Sequence, residues 1–226
     1  MNVLVIAAHP DDEVLGCGGT MGRLAAEGAR VSVLILANGL TSRPGFDAAQ
    51  ADALLAAHHE RARRAGALLG AEQVNFAGFP DQRMDTLPLL DITQAIEREI
   101  ARVQPAMVFT QHGGDLNMDH VITFRATLTA TRPMACSVVR QVYSYEIPSS
   151  TDWAFGQFEP RFQPSVFFDI SAHLEAKIAA MQVYESETRV FPHPRSPEAL
   201  RASAARWGSA TGRPAAEAFH CVRDLR

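Results

Sequence analysis

Val3-Leu4-Val5-Ile6-Ala7-Ala8 runs without a polar interruption into His9-Pro10-Asp11-Asp12-Glu13. A short continuous apolar run of this kind is the pattern of a strand buried on both faces of a parallel sheet. A helical stretch follows to about Gly28, and a second apolar run, Val31–Ala37, repeats the signal. A polar loop over Asn38–Phe46 leads into a long alanine-rich helix that stops near Leu69-Gly70, where glycine suits a C-terminal cap. Val74–Phe76 reads as a third strand, Leu90–Val103 as an amphipathic helix and Ala106–Thr110 as a fourth strand. Strands alternating with helices at this spacing predict βαβ units and a doubly wound, mostly parallel α/β sheet.

After Pro133 the rhythm loosens into an elaborated C-terminal third. Ser137–Tyr145 and Val166–Ile170 read as strands, Ser171–Ser186 and Ser196–Arg206 as helices. Ser196-Pro197-Glu198 supplies a serine N-cap with proline at the first helical position. No repeat, low-complexity tract or linker breaks the 226 residues, and their length fits one large domain over 1–226.

Bulk composition excludes several roles. Twenty-one basic against 25 acidic residues give −4, so no bulk field attracts nucleic acid or an anionic membrane. An apolar fraction of 47% with 20% charged residues is globular. Cys17, Cys136 and Cys221 are odd in number and far apart, which argues against a disulfide framework and for a reducing, cytoplasmic setting. No apolar run approaches the ~18 residues of a membrane span, and Val3–Ala8 lacks the basic flank of a signal peptide.

Chemistry-bearing residues gather at two strand ends. One group is His9–Glu13, after the first strand; the other is His112-Gly113-Gly114-Asp115-Leu116-Asn117-Met118-Asp119-His120, after the fourth. In open α/β sheets the ligand crevice lies beyond the carboxyl ends of strands where their order reverses. The order 3-2-1-4 makes the first and fourth strands neighbours, bringing His9 and His120 to one site across 120 − 9 = 111 positions. His9 and Asp12 flank a tight turn entering a helix; with His120 they form a His₂Asp set that leaves a coordination position open, the arrangement of one catalytic zinc per chain. Asp11, beside ligand Asp12, is placed to act as a base on water. Gly16-Cys17-Gly18-Gly19 is set aside as a phosphate cradle, because HPDDE already occupies the strand-to-helix turn; close packing explains the glycines, and Cys17 is a packed residue.

AHPDDE at a strand end paired with a later HGGDLNxDH segment resembles the LmbE-like, or PIG-L, family of zinc-dependent N-deacetylases. The resemblance extends to Phe79-Pro80-Asp81 with Arg83 and Asp85, to Tyr143–Ser150 and to Pro192-His193-Pro194-Arg195-Ser196. It implies a Rossmann-like fold and hydrolysis of an acetamide on an N-acetylglucosamine-type sugar or glycoconjugate. It matches His9, Asp12 and His120 to zinc ligands and Asp11 to the general base. Where several branches carry a histidine three residues before the last ligand, this chain has Asn117, which donates a hydrogen bond to an oxyanion but delivers no proton. The acid is then protonated Asp11 or another histidine, His193 being the candidate. Asp115 and Asp119 are expected to orient His120. His58 falls roughly where some relatives carry a sugar-binding arginine. Asp81 and Arg83 suit sugar hydroxyls, a phosphate or a mutual ion pair; Trp153 and Phe155 suit ring stacking or, more readily, core packing.

The reading is therefore a cytoplasmic zinc hydrolase acting on a small N-acetylated amino sugar or conjugate, with no nucleic-acid partner and with homo-oligomerisation open. Two alternatives stand beside it: a metal-dependent phosphoesterase, whose sites commonly hold two metals where ligands for one are present here, and a non-catalytic nucleotide- or sugar-binding module.

Overall fold

A computed structural model describes residues 1–39, 51–135 and 137–226. Cys136, and residues 40–46 of the loop expected at Asn38–Phe46, lie outside the described residues. Seven strands form one sheet: β1 (Asn2–Ala7), β2 (Arg30–Ala37), β3 (Ala71–Phe79), β4 (Met107–Gln111), β5 (Gln141–Tyr145), β6 (Val166–Asp169) and β7 (Ala216–Asp224). Their order is β3-β2-β1-β4-β5-β7-β6. The first five pair in parallel, and β7 runs antiparallel to both β5 and β6. The sheet is thus the expected mostly parallel one, and its order reverses between β1 and β4.

The described helices are α1 (Asp12–Ala26), α2 (Ala51–Leu68), α3 (Leu89–Val103), α4 (Met118–Ala130), α5 (Leu174–Val183) and α6 (Pro197–Thr211). They cover both faces of the sheet, which is why β1 carries no polar residue between Val3 and Ala7. Val3, Val5 and Ala7 join a cluster with residues of α1, α2 and α5, whereas Leu4 and Ile6 pack towards α3 and α4. Alternate residues of a strand point to opposite faces, so burial on both faces favours an apolar run without alternation. No described helix is long and apolar enough to cross a membrane.

Several boundaries move. β3 and α6 extend beyond Val74–Phe76 and Arg206, while the strand expected at Ser137–Tyr145 begins only at Gln141 and the helix expected at Ser171–Ser186 spans Leu174–Val183. The Ser196 cap is present: its side chain accepts from the Ala199 amide at 3.1 Å. β7 carries no clear strand pattern in the sequence, because Glu217, His220, Arg223 and Asp224 interrupt its apolar residues.

In the Gly16–Gly19 stretch the backbone packs tightly against its neighbours. A Cβ on Gly16 would overlap the Tyr145 ring, and one on Gly19 would lie 2.7 Å from Ile170 Cδ1. Tyr145 is itself anchored across the sheet, its hydroxyl donating to the Ile6 carbonyl at 2.7 Å. Cys17 is fully buried, Cys221 is half-buried, and neither forms a disulfide. Gly16→Ala is therefore expected to cost about 1–3 kcal/mol by overpacking and to lower Tm by about 2–12 °C. An unchanged Tm in a thermal melt would contradict this packing.

Candidate metal centre

The site is built at the reversal point. β1 ends at Ala7, and the chain turns through His9-Pro10-Asp11 into α1; β4 ends at Gln111, and its loop enters α4 at Met118. Asp11 takes φ 112°, a conformation that strains a residue with a Cβ. Glu13 holds that turn, its Oε2 accepting the Asp11 amide at 3.1 Å while its Oε1 accepts the Tyr184 hydroxyl at 2.6 Å. Burial pushes the Glu13 carboxyl up to about 7, against the pull of those hydrogen bonds.

Three ligand atoms converge. His9 Nδ1 and His120 Nε2 each lie 3.3 Å from Asp12 Oδ2 and 3.3 Å from one another. All three residues are buried and form a group able to hold a metal ion. Asp12 Oδ2 also accepts from the His9 amide at 2.9 Å and from Gln111 Nε2 at 2.6 Å. Asp12 Oδ1 is buried with no hydrogen-bond partner among the described residues. An unmet carboxylate oxygen is costly inside a protein, and two imidazoles with such a carboxylate fit a divalent cation of the zinc type.

Each imidazole is backed by its own carboxylate. His120 Nδ1 lies 3.2 Å from Asp115 Oδ2, and Asp115 is fixed by Ser150, by the Thr151 hydroxyl at 2.6 Å and by the Asn117 amide at 2.7 Å. Asp119 does not orient His120 as expected. It meets His9, with Oδ2 3.0 Å from Nε2, and accepts the Gln82 and Met84 amides at 2.8 and 3.0 Å. The reason is helical geometry: neighbouring residues on α4 point about 100° apart, so Asp119 and His120 cannot share a direction. Asp81 also turns inward, with Oδ1 3.3 Å from His9 Nε2.

Electrostatics follow from this crowding. Burial opposes charge on His9, but Asp119, Asp12 and Asp81 outweigh it and push the imidazole up to about 10. Burial likewise opposes charge on His120, where Asp12 and Asp115 push it up to about 9. Burial disfavours ionisation of Asp12, yet the two imidazoles hold its carboxyl well below the usual range. Asp11 is pushed well above that range by burial and by Asp12, Glu187 and Glu13, against the guanidinium of Arg195.

A cavity of about 390 Å³ opens over these residues, lined also by Asn117, Gln82, Glu187, Arg189 and Arg195. Asn117 caps α4, its Oδ1 accepting the Asp119 amide at 2.9 Å, which leaves its NH₂ as the group it can offer. His193 is not among the lining residues. Its Nδ1 accepts the Arg195 amide at 3.1 Å and its ring meets Trp153 edge-on, while partial burial, Arg195 and Arg189 lower its pKa. The Pro192–Ser196 segment instead delivers Arg195, whose Nη1 lies 2.7 Å from Asp11 Oδ2 and whose Nε donates to Ser149 Oγ at 2.9 Å. His58 is buried on α2 beside Gly39, which lines the cavity, but is not itself a lining residue. Arg83 is exposed and, among the described residues, forms no ion pair with Asp81. Trp153 and Phe155 are 44% and 78% exposed, so neither fills the core. Gln111, Ser150, Thr151 and Tyr184 carry no metal-ligand signal in the sequence; Arg195 lies within Pro192–Ser196, two residues from His193.

A family profile described as PIG-L, GlcNAc-PI de-N-acetylase, matches residues 4–131. The chain is 30% identical to a protein of Escherichia coli K12 named uncharacterized deacetylase YaiS, over 81% of this chain and 90% of that one. It is 27% identical to the 1D-myo-inositol 2-acetamido-2-deoxy-alpha-D-glucopyranoside deacetylase of Mycobacteroides abscessus, over 83% and 82%. Among solved structures, GalB, the 4-carboxy-2-hydroxymuconate hydratase from Pseudomonas putida KT2440, superposes with a TM-score of 0.78 at 23% identity, over 100% and 97% of the two chains, a likeness of fold alone.

A second group, His9 with Asp81 and Asp119, shares a histidine with the first. In that second group each Asp119 oxygen accepts a backbone amide, whereas in the first group Asp12 Oδ1 has no hydrogen-bond partner among the described residues, which makes the first group the stronger site. Titration with zinc should therefore saturate near one ion per chain. Because both imidazoles are raised above 6.5, a cation must displace a proton from each. Affinity should keep rising with pH up to about 10, with a slope in log Kd of about two per pH unit below about 9 and about one above it. Chelator competition across this range measures it; affinity already level at pH 7 would show imidazoles of ordinary basicity.

Proposed function

The chain belongs to the PIG-L family, and on that premise we propose that it is a metal-dependent hydrolase removing the acetyl group from an N-acetylated amino sugar or a conjugate of one. The observation that carries the reading is the triangle of His9 Nδ1, Asp12 Oδ2 and His120 Nε2 with Asp11 beside it in an open cavity. The deacetylase names of the relatives support the reaction type, and the 2-acetamido sugar in the name of the M. abscessus relative supports the substrate class. Zinc is the proposed ion. When bound, it supplies the Lewis acidity that polarises the amide and acidifies water towards a pKa of about 7.

The chain's own residues divide the remaining work. Asp11 removes the proton from the attacking water as its oxygen bonds to the carbonyl carbon. Arg195 engages Asp11 Oδ2, so Oδ1 is the atom that takes this proton. Burial raises Asp11 and the guanidinium restrains the rise, a balance that suits a group both accepting and returning a proton. Asn117, its carbonyl committed to the α4 cap, donates its NH₂ to the developing oxyanion. The C–N bond then breaks with return of the proton from Asp11 to the amine nitrogen, giving acetate and the free amine. His193 has no part in this sequence, because it lies off the cavity. Asp115 and Asp119 hold His120 and His9 in the orientation that presents one nitrogen of each to the ion.

Asp11→Asn is expected to keep the metal and lower acetate release by about 10²–10⁴-fold; His120→Ala should lose the metal. The measurement is free-amine formation from a panel of N-acetylated amino sugars, with chelator and added zinc as controls, beside metal analysis of each variant. Turnover by Asp11→Asn equal to that of the unaltered enzyme would overturn the base assignment.

A further inference from the structure

We propose that the buried ion pair of Lys177 and Glu217 is a positioning device for Asp11 and Asp12, acting through a break in α1. The inference rests on the reading of those two aspartates as base and ligand. Helix α1 leaves helical geometry at Cys17, where φ is −146° and ψ 22°. A break of this kind strands carbonyls at the end of the first piece and amides at the start of the second. Both sets are answered by the same pair. Glu217, from β7, accepts the Gly19 amide on Oε1 at 3.0 Å and the Thr20 amide on Oε2 at 2.7 Å. Lys177, from α5, donates to the Leu15 carbonyl at 2.8 Å and to Glu217 Oε1 at 2.6 Å. The carboxylate thus sits at an amide end and the ammonium at a carbonyl end, each complementing the partial charge it meets.

Both side chains are buried, and neither lines the cavity over the metal ligands. Stability alone is a weak reason for such a pair, since well-packed apolar residues of similar volume often serve equally well. What the pair adds is direction: it ties Leu15, one turn after Asp12, to α5 and β7. Helix α5 holds the same segment at a second point, because Tyr184 follows it directly and donates to Glu13, which accepts the Asp11 amide. Two attachments fix the orientation of residues 11–16 where one would leave a pivot. Misplacement by an ångström at a reacting group costs about 10²-fold in rate, so this short segment is where rigidity matters most. Lys177, Tyr184 and Glu217 all lie outside the residues 4–131 that match the family profile.

The test uses Glu217→Gln, which keeps the shape and one acceptor, and the double variant Lys177→Met/Glu217→Leu, which replaces the pair with apolar groups. Well below their unfolding temperatures, both are expected to bind zinc about tenfold more weakly and to lose about tenfold in kcat with KM retained. Amide hydrogen exchange over residues 11–16 should quicken in both. A merely structural pair would lower Tm and leave zinc affinity, kcat and local exchange unchanged, and that result overturns the proposal. The exchange measurement needs neither metal nor substrate. Faster exchange and weaker zinc binding without acetate release by the unaltered enzyme would sink the deacetylase reading and leave the positioning role standing.

Discussion

One buried carboxylate oxygen organises the site. Asp12 Oδ2 lies 3.3 Å from a nitrogen of each of two imidazoles and accepts hydrogen bonds from the His9 amide and Gln111. A carboxylate taken out of water must be compensated by cations or donors. Here the compensation comes from β1, β4 and α4 at once, because the sheet reverses between β1 and β4. The triangle is a consequence of that reversal, since its three residues come from loops and helices that follow two different strands.

Around the triangle the charges form a layered arrangement. Asp119 and Asp81 face the far nitrogen of His9, Asp115 faces that of His120, and Arg195 and Glu187 stand by Asp11. Each imidazole therefore has one nitrogen committed to a carboxylate and one presented to the centre, the arrangement that fixes tautomer and orientation in metal-ligating histidines. The fold does not by itself dictate amide hydrolysis, since a hydratase shares it. The functional reading depends on these particular side chains.

How much of this was visible in the sequence follows from what sequence patterns record. Strands β1, β2 and β4 are readable because double burial selects mostly apolar runs, and the two His/Asp segments are readable because they stand directly at the ends of β1 and β4. Strand β7 is not, since it mixes Glu217, His220 and Arg223 into its run; yet Glu217 is buried and bonded to the α1 break. Adjacency misleads in a similar way. Asp119 neighbours His120 in the chain but faces His9, because consecutive helical residues diverge. In Pro192–Ser196 the pattern marks a loop that approaches the site without saying which side chain enters, and Arg195 enters where His193 was expected. Spacing fixes which backbone segments meet; the rotation of each side chain is settled by packing that no local pattern contains.

That distinction bears on where differences between relatives should arise. The family match spans residues 4–131, which hold every ligand of the triangle and the carboxylates behind both histidines. The C-terminal third supplies what acts on Asp11: Arg195 on its carboxylate and, through Glu13, Tyr184 on its backbone. It also places Arg189, beside Glu187, on the cavity wall and presents Trp153 and Phe155 outward. The proposed metal centre thus lies in the portion matched by the family profile, while Arg195 and Glu187, which act on the proposed base, and Arg189 on the cavity wall come from the portion beyond it. A chain divided in this way can vary that part of the wall, and the charge that faces the proposed base, without disturbing the proposed ligands.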